Sequence, residues 1–246
     1  MAKILPRPRA YTGRPAYSNL DLLPGILKVL RSGCRWRDLD SSKYPSGVTH
    51  WRRLRFWQDK LGLRKTWNWI LRKLHKKRKL NFKRASLDGS LIPSFRFSDT
   101  TGYSGKYKKT GTKISSLVDS GGLPLGLVLA PGNKHDLPLA IPTISSLAVN
   151  LPETVIADKG YDSFDFRQKL IQFGIIANIS PRRFKNRKHK YKYSKTLGKL
   201  RYKVERTNAW IKSFRKLHFR FDYTLTSFQA FAYLAVIVIC LRRLLP

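Results

Sequence analysis

Three acidic residues are candidates for chemistry because each stands where a carboxylate is unusual. The chain has 50 Lys and Arg against 14 Asp and Glu, so every carboxylate opposes a strongly positive field. Asp88 lies within a strand pattern, Asp158 follows the short apolar run 154–157, and Glu205 is the only acid among sixteen basic residues between 182 and 220. Three carboxylates can hold two divalent cations, which neutralise a phosphate and activate a water or a 3′-hydroxyl for in-line attack. The trio therefore predicts metal-dependent phosphoryl transfer.

Each of these acids also has a purely structural interpretation. Asp88 begins an Asp-Gly dipeptide, which is a strong turn signal. Asp158 could cap a helix, and Glu205 could form an ion pair with one of the surrounding bases. Two further acids have lower priority: Asp119 reads as a turn residue, and Asp136 either caps a helix or approaches the metal site.

Composition restricts the class of protein. Of the 246 residues, 42% are hydrophobic and 12% aromatic, which excludes a disordered basic tail and allows a sizeable core. A formal net charge of +36 calls for a polyanionic partner, and nucleic acid is the expected one. Cys34 and Cys240 are far apart and have no second pair, which favours a reducing compartment over a disulfide framework. We expect a cytoplasmic, nucleoid-associated protein.

A membrane partner is not expected. The basic residues are spread through folded-looking segments and are not gathered on one amphipathic helix. The longest apolar run, 228–241, is short for a membrane span and contains Gln229, so it predicts a buried helix.

The periodicity of the chain predicts three regions. Residues 1–17 form a basic arm rich in Pro, Arg and Gly, and 18–80 show three helices of the size found in helix-turn-helix DNA binders. Residues 81–246 show three strands in a meander, then strand–helix–strand, then helices near 200–218 and 226–244. This order predicts a mixed five-stranded α/β sheet with helices on both faces. We expect 81–246 to fold without 1–80.

Several motifs in this order resemble those of bacterial insertion-sequence transposases of the DDE type, in the insertion-element-five family. The resemblance covers nearly the whole chain and is carried by Gly33-Cys-Arg-Trp-Arg-Asp-Leu39, Leu87-Asp-Gly89, Gly121-Gly-Leu-Pro124, Pro131-Gly-Asn-Lys-His-Asp136, Ala157-Asp-Lys-Gly-Tyr161 and Val204-Glu-Arg-Thr-Asn-Ala-Trp-Ile-Lys212. It implies an RNase H-like catalytic domain in which Asp88, Asp158 and Glu205 bind two Mg²⁺ or Mn²⁺ ions. Asp158 is 70 residues after Asp88 and Glu205 is 47 residues after Asp158, which leaves no room for a large insertion domain.

The resemblance also assigns supporting residues. In the related signature a Tyr and an Arg precede the Glu and a Lys follows it by seven positions. Arg201 and Lys212 match, and Tyr161 lies in the motif around Asp158, but Gly198 occupies the position of the Tyr. Tyr202 could substitute for it, although from another face of the helix.

The implied partners are double-stranded DNA at the element's terminal inverted repeats and at the target, with a homodimer or larger active complex. The predicted phosphate contacts, from the basic segment that includes Glu205, are Arg182, Arg183, Arg187, Lys188 and Lys216.

Three other functions remain open from the sequence. One is a transposase-derived protein that binds DNA without cutting it, and only the presence of all three carboxylates argues against it. Another is a metal-dependent nuclease with the same fold. An RNA-associated protein is less favoured because no RNA-binding motif is present.

Overall fold

Three helices form the amino-terminal region of the computed structural model, which describes residues 1–8, 15–95, 98, 100–182 and 191–245. They are α1 (Asn19–Ser32), α2 (Gly47–Asp59) and α3 (Gly62–Lys76). Ser18 begins α1 with a reciprocal capping box, in which the Asp21 side chain accepts from the Ser18 backbone. Gly33 ends α1 at a φ of 71°, which is a left-handed conformation that glycine adopts without strain.

A mixed sheet follows. Its strands are β1 (Ala85–Pro93), β2 (Gly102–Ser104), β3 (Lys109–Asp119), β4 (Pro124–Pro131), β5 (Thr154–Ala157) and β6 (Ile176–Ile179). β1 lies in the middle, antiparallel to β3 on one side and parallel to β5 on the other, and β6 pairs with β5. Both β4 and β2 pair with β3 on the side away from β1. The predicted RNase H-like mixed sheet is therefore confirmed, although the described part of the chain has six strands and not five, because the short β2 adds a strand beside β3.

Helices cover both faces of this sheet. They are α4 (Asp136–Ser145), α5 (Phe164–Gln172), α6 (Lys195–Lys199), α7 (Tyr202–Ser213), α8 (Arg215–His218) and α9 (Leu225–Leu244). One core joins Leu87 and Leu117 of the sheet to α4 and α5. A second joins Ile92 and Ile114 to α9 and to the amino-terminal helices. The predicted helix at 200–218 is interrupted at Phe214, whose extended backbone (ψ 113°) separates α7 from α8.

The apolar helix α9 is the core element shared by the two regions. It is long and apolar enough to cross a membrane by length and composition, yet 67% of its most apolar window is buried inside the protein. It packs against α2 and α3, where Trp67 of α3 contacts Tyr233 of α9 at a ring-centroid distance of 5.9 Å. The predicted buried helix is thus present, and the amino-terminal helices cover it.

Candidate active site

Asp88 lies on β1, and Asp158 directly follows β5, the parallel neighbour of β1. Ser86 of β1 pairs with Ile156 of β5, and the same register continued by two residues sets Asp88 opposite Asp158. Side chains alternate along a strand, so Leu87 enters the core under α4 while Asp88 faces α7. The turn interpretation of Asp88 is wrong, because Asp88 pairs with Ser116 in the middle of β1.

Asp88 carries the clearest electrostatic signature of the site. The pKa of its carboxyl is raised from 3.8 to about 6, chiefly because burial penalises the charged form. Arg201 and a backbone hydrogen bond from Gly89 oppose this change, whereas Asp158 and Asp136 reinforce it by repulsion. Three aspartates therefore act on one another here, and Asp136 is a member that the three-residue assignment leaves out.

Asp136 begins α4 and pairs with the buried Lys113, whose Nζ lies 2.9 Å from its Oδ1. A side chain at position 89 would collide with the carboxylate of Asp136, so the glycine after Asp88 is what permits the close approach. The motif Pro131–Asp136 thus brings its acid to the site.

The loop after β5 holds Asp158 and Tyr161 in place. One carboxylate oxygen of Asp158 accepts from the Gly160 N–H at 2.7 Å and so begins the short 3₁₀ helix Lys159–Tyr161. The predicted capping role of Asp158 is therefore confirmed, and it uses only one of the two carboxylate oxygens. Tyr161 is 1% exposed, and its hydroxyl has no hydrogen-bond partner among the described residues. Burial, and then the charges of the aspartates, raise the pKa of this phenol well above 10.

Glu205 approaches from α7 but does not join the aspartates. Its carboxylate pairs with Arg201 at 2.9 Å and its side chain is 55% exposed, so the ion-pair interpretation is also correct. Arg201 lowers the pKa of Asp88 as well, so its charge acts on both acids. In the part of the chain that the structure describes, no three His, Cys, Asp or Glu side chains form a group that could hold a metal.

The rest of this helix face points toward Asp88. Positions 201, 205, 208 and 212 share one stripe of α7. Asn208 accepts a 2.7 Å hydrogen bond from Ser116, the strand partner of Asp88. Burial lowers the pKa of Lys212 while the charge of Asp88 opposes that change. On this stripe Glu205 therefore lies between Arg201 and Lys212, both of which interact electrostatically with Asp88. From the sequence, the position of Asn208 one helical turn after Glu205 is the feature that could have predicted its place on this face.

Gly198 is explained by a neighbouring phenol. A side chain at this position would collide with the hydroxyl of Tyr193. The space at the family's Tyr position is thus taken by a Tyr from five residues earlier in the chain. Tyr202, the substitute suggested by the sequence, is 52% exposed and lies under the guanidinium of Arg206 at 5.8 Å.

The residues predicted to contact phosphate have different surroundings in the structure. Arg182 donates to the carbonyl oxygens of Lys159 and Gly160, so its guanidinium supports the loop that carries Asp158. Lys216 is 12% exposed, pairs with Asp222 at 3.1 Å and lies over the ring of Phe231. This burial argues against a phosphate contact by Lys216. Arg183, Arg187 and Lys188 lie outside the described residues.

The donor set suits a hard divalent cation. Asp88, Asp136 and Asp158 supply carboxylate oxygens, which Mg²⁺ and Mn²⁺ prefer. Burial is the main cause of the raised pKa of Asp88 and repulsion by Asp158 and Asp136 adds to it, and a cation beside these carboxylates would offset both effects. The aspartates therefore have the ligand chemistry of a metal site, although the described side chains are not gathered into a complete metal-binding group, and Glu205 would complete the set once its carboxylate turned away from Arg201.

A sheet of this order with acidic residues on its two central parallel strands defines the RNase H-like class. Comparison with known families then identifies the chain more closely. The family model "Transposase DDE domain" matches residues 83–241, and "Putative transposase of IS4/5 family" matches residues 1–70. The chain belongs to the family of transposase DDE domains.

Individual relatives agree with this assignment. A putative transposase of the insertion sequence element IS402 from Burkholderia cepacia is 37% identical over 145 residues, which are 55% of this chain and 65% of that protein. A putative transposase of IS6501 from Brucella ovis is 33% identical over 133 residues, which are 53% of this chain and 98% of that protein. The solved Mos1 strand transfer complex aligns with 97% of the chain at 12% identity, with a TM-score of 0.35, which is too low to support any conclusion.

Proposed function

We propose that this protein is a DNA transposase that binds the terminal inverted repeats of an insertion sequence, cuts DNA there and joins the ends to a target. The observation that carries the proposal is the pair of aspartates on adjacent parallel strands, with the pKa of Asp88 raised to about 6 by burial and by its acidic neighbours. Membership of the DDE family agrees with it.

Asp88, Asp158 and Glu205 would hold two Mg²⁺ or Mn²⁺ ions, which supply charge neutralisation and an activated water or 3′-hydroxyl for attack on phosphorus. Arg201 keeps the carboxylate of Glu205 on the stripe of α7 that faces Asp88. Lys212, next along this stripe, is placed to neutralise a phosphate oxygen beside Asp88. Tyr161, buried where the charges of all three aspartates act on it, would support the site from the protein interior.

The hydroxyl of Tyr193 would stand in for the Tyr of the related signature. A side chain at Gly198 would collide with this hydroxyl, so a phenol lies beside the position of the signature's Tyr although it comes from five residues earlier in the chain.

The protein's net charge supports double-stranded DNA as partner, at both the element end and the target. Residues 18–80 would supply recognition of the end, 81–246 the catalytic domain and 1–17 a basic arm. The basic segment near 183–188 would contact phosphates, and a homodimer or larger assembly would hold two ends together in the bacterial cytoplasm, at the nucleoid.

A DNA-binding derivative without activity is the second candidate, because Glu205 pairs with Arg201 and stands apart from the aspartates. The test is to incubate purified protein with Mn²⁺ and a labelled DNA fragment that carries the element's end and its flank. Cleavage at the end followed by joined products supports a transposase, and cleavage without joining supports a nuclease. Binding without cleavage supports the inactive derivative.

A further inference from the structure

A second site lies on the far side of α7 from the aspartates. It is a pocket of about 500 Å³ between the β3–β4 turn and the carboxyl-terminal ends of α1, α7 and α9. Leu123, Phe214 and Ile239 give it an apolar lining, and the indole of Trp210 borders it. Gly121 and Leu123 belong to the motif Gly121–Pro124, which contributes no residue to the aspartate site described above.

The charged residues of this pocket are all basic. Among the described residues that line it, none is acidic and four are cations: Arg31, Lys79, Arg242 and Arg243. Lys79 donates to the carbonyl oxygen of Arg243 at 3.0 Å, which ties the segment after α3 to the end of α9. In the described part of the chain no carboxylate lies within ion-pair distance of any of the four. Such a site favours an anionic ligand.

The aromatic side of the pocket is preorganised. Trp210 is 42% exposed, and the guanidinium of Arg206 lies 4.7 Å from its ring centroid. Arg206 also donates to the carbonyl oxygen of Gly121 at 2.9 Å, and Thr207 donates to that of Gly122. These hydrogen bonds attach the β3–β4 turn to α7 and hold the guanidinium of Arg206 beside the indole of Trp210. An exposed indole next to a positioned cation suits a planar aromatic ligand.

We propose that this pocket binds a nucleotide, with its base against Trp210 and its phosphate among the four cations. Its volume is within the usual range of small-molecule sites. The four cations exceed the partial negative charge of roughly −0.5 at each of the three helix ends that border the pocket. The nucleotide could be free or an unpaired residue of bound DNA. Trp210 lies five residues after Glu205, about 7.5 Å farther along the axis of α7, so the same helix borders both the pocket and the aspartate site.

The test uses the full chain without divalent metal, so that binding is measured apart from cleavage and is independent of the proposed transposase activity. Calorimetric titrations compare AMP, adenosine and inorganic phosphate. Competition experiments compare a duplex that carries one unpaired nucleotide with the same duplex fully paired. Trp210→Ala should weaken binding of AMP, or the preference for the unpaired nucleotide, by at least about fivefold, and Trp210→Phe should restore most of it.

Two control variants keep the result interpretable. Phe173→Ala removes another half-exposed aromatic ring, from the end of α5, which does not line the pocket, and should leave the binding of AMP and the duplex preference unchanged. Arg242→Gln with Arg243→Gln should weaken AMP far more than adenosine, because only AMP carries the phosphate. Melting curves check that each variant remains folded.

The two arms identify the source of the ligand. Binding of AMP without a duplex preference identifies a free nucleotide, and a preference for the unpaired nucleotide alone identifies DNA as the source. Failure of both arms, equal affinity for phosphate and AMP, or full binding by Trp210→Ala would overturn the proposal.

Discussion

Replacing Asp88 by Asn should stabilise the metal-free protein while abolishing the proposed cleavage. The pKa of Asp88 is about 6 in the folded chain against an ordinary 3.8, because the ionised carboxylate is buried near Asp158 and Asp136. The folded state therefore holds this proton more tightly than the unfolded state does. The contribution of Asp88 to stability is complete below the unfolded pKa and is lost as pH rises through the folded one.

The magnitude follows from the pKa difference. Each pKa unit corresponds to roughly 1.4 kcal/mol, so the ionised Asp88 reduces the free energy of unfolding by about 3 kcal/mol near pH 7.5 and by only about 0.5 kcal/mol near pH 4. Asn carries no charge and keeps an oxygen that can accept the hydrogen bond from the Gly89 backbone. Asp88→Asn should recover most of this difference at the higher pH and little at the lower.

The assay is urea unfolding of both proteins across this pH range in the presence of a chelator. Urea is preferred to guanidinium because it does not screen charges. Asp59→Asn, which removes an exposed carboxylate at the end of α2, is the matched control and should show no such dependence on pH. Adding Mg²⁺ should stabilise the wild type and leave Asp88→Asn unchanged. Parallel pH curves for wild type and Asp88→Asn would refute the electrostatic reasoning.

Three further predictions concern catalysis, charge and folding. Asp158→Asn and Glu205→Gln should each bind DNA normally and fail to cut it with Mg²⁺ in a gel assay; near wild-type cleavage would remove that residue from the site. Each phosphate contact adds about 0.9 to the slope of log affinity against log salt concentration. Lys216→Gln should leave that slope unchanged in filter binding and lower the melting temperature, whereas a flatter slope would show that Lys216 contacts DNA. Deleting residues 1–80 should yield a protein that aggregates, because α9 would no longer be covered by α2 and α3. This is contrary to the expectation from sequence that 81–246 folds by itself, and a soluble fragment that melts cooperatively would contradict it.

Much of this protein could be predicted from local pattern. A change of periodicity after residue 84 predicted the strands, a spacing typical of helices predicted α1, and a long apolar run predicted α9. The scarcity of acids in a chain of charge +36 drew attention to Asp88, Asp158 and Glu205. These features depend on residues close together in the chain, so the sequence alone could show them.

Tertiary structure decided what depends on distant neighbours. Asp88 faces Asp158 because β1 and β5 pair in parallel across 70 residues, and Asp136 joins them because Gly89 has no side chain. Lys216 could be expected on the surface from its charge, yet the turn at Phe214 directs it onto Phe231 and Asp222. The apolar run of α9 was expected to form the core of its own domain, but α9 also packs against α2 and α3, about 150 residues or more away in sequence. Hydrophobicity predicts that such a helix is buried, and only packing determines which surface buries it.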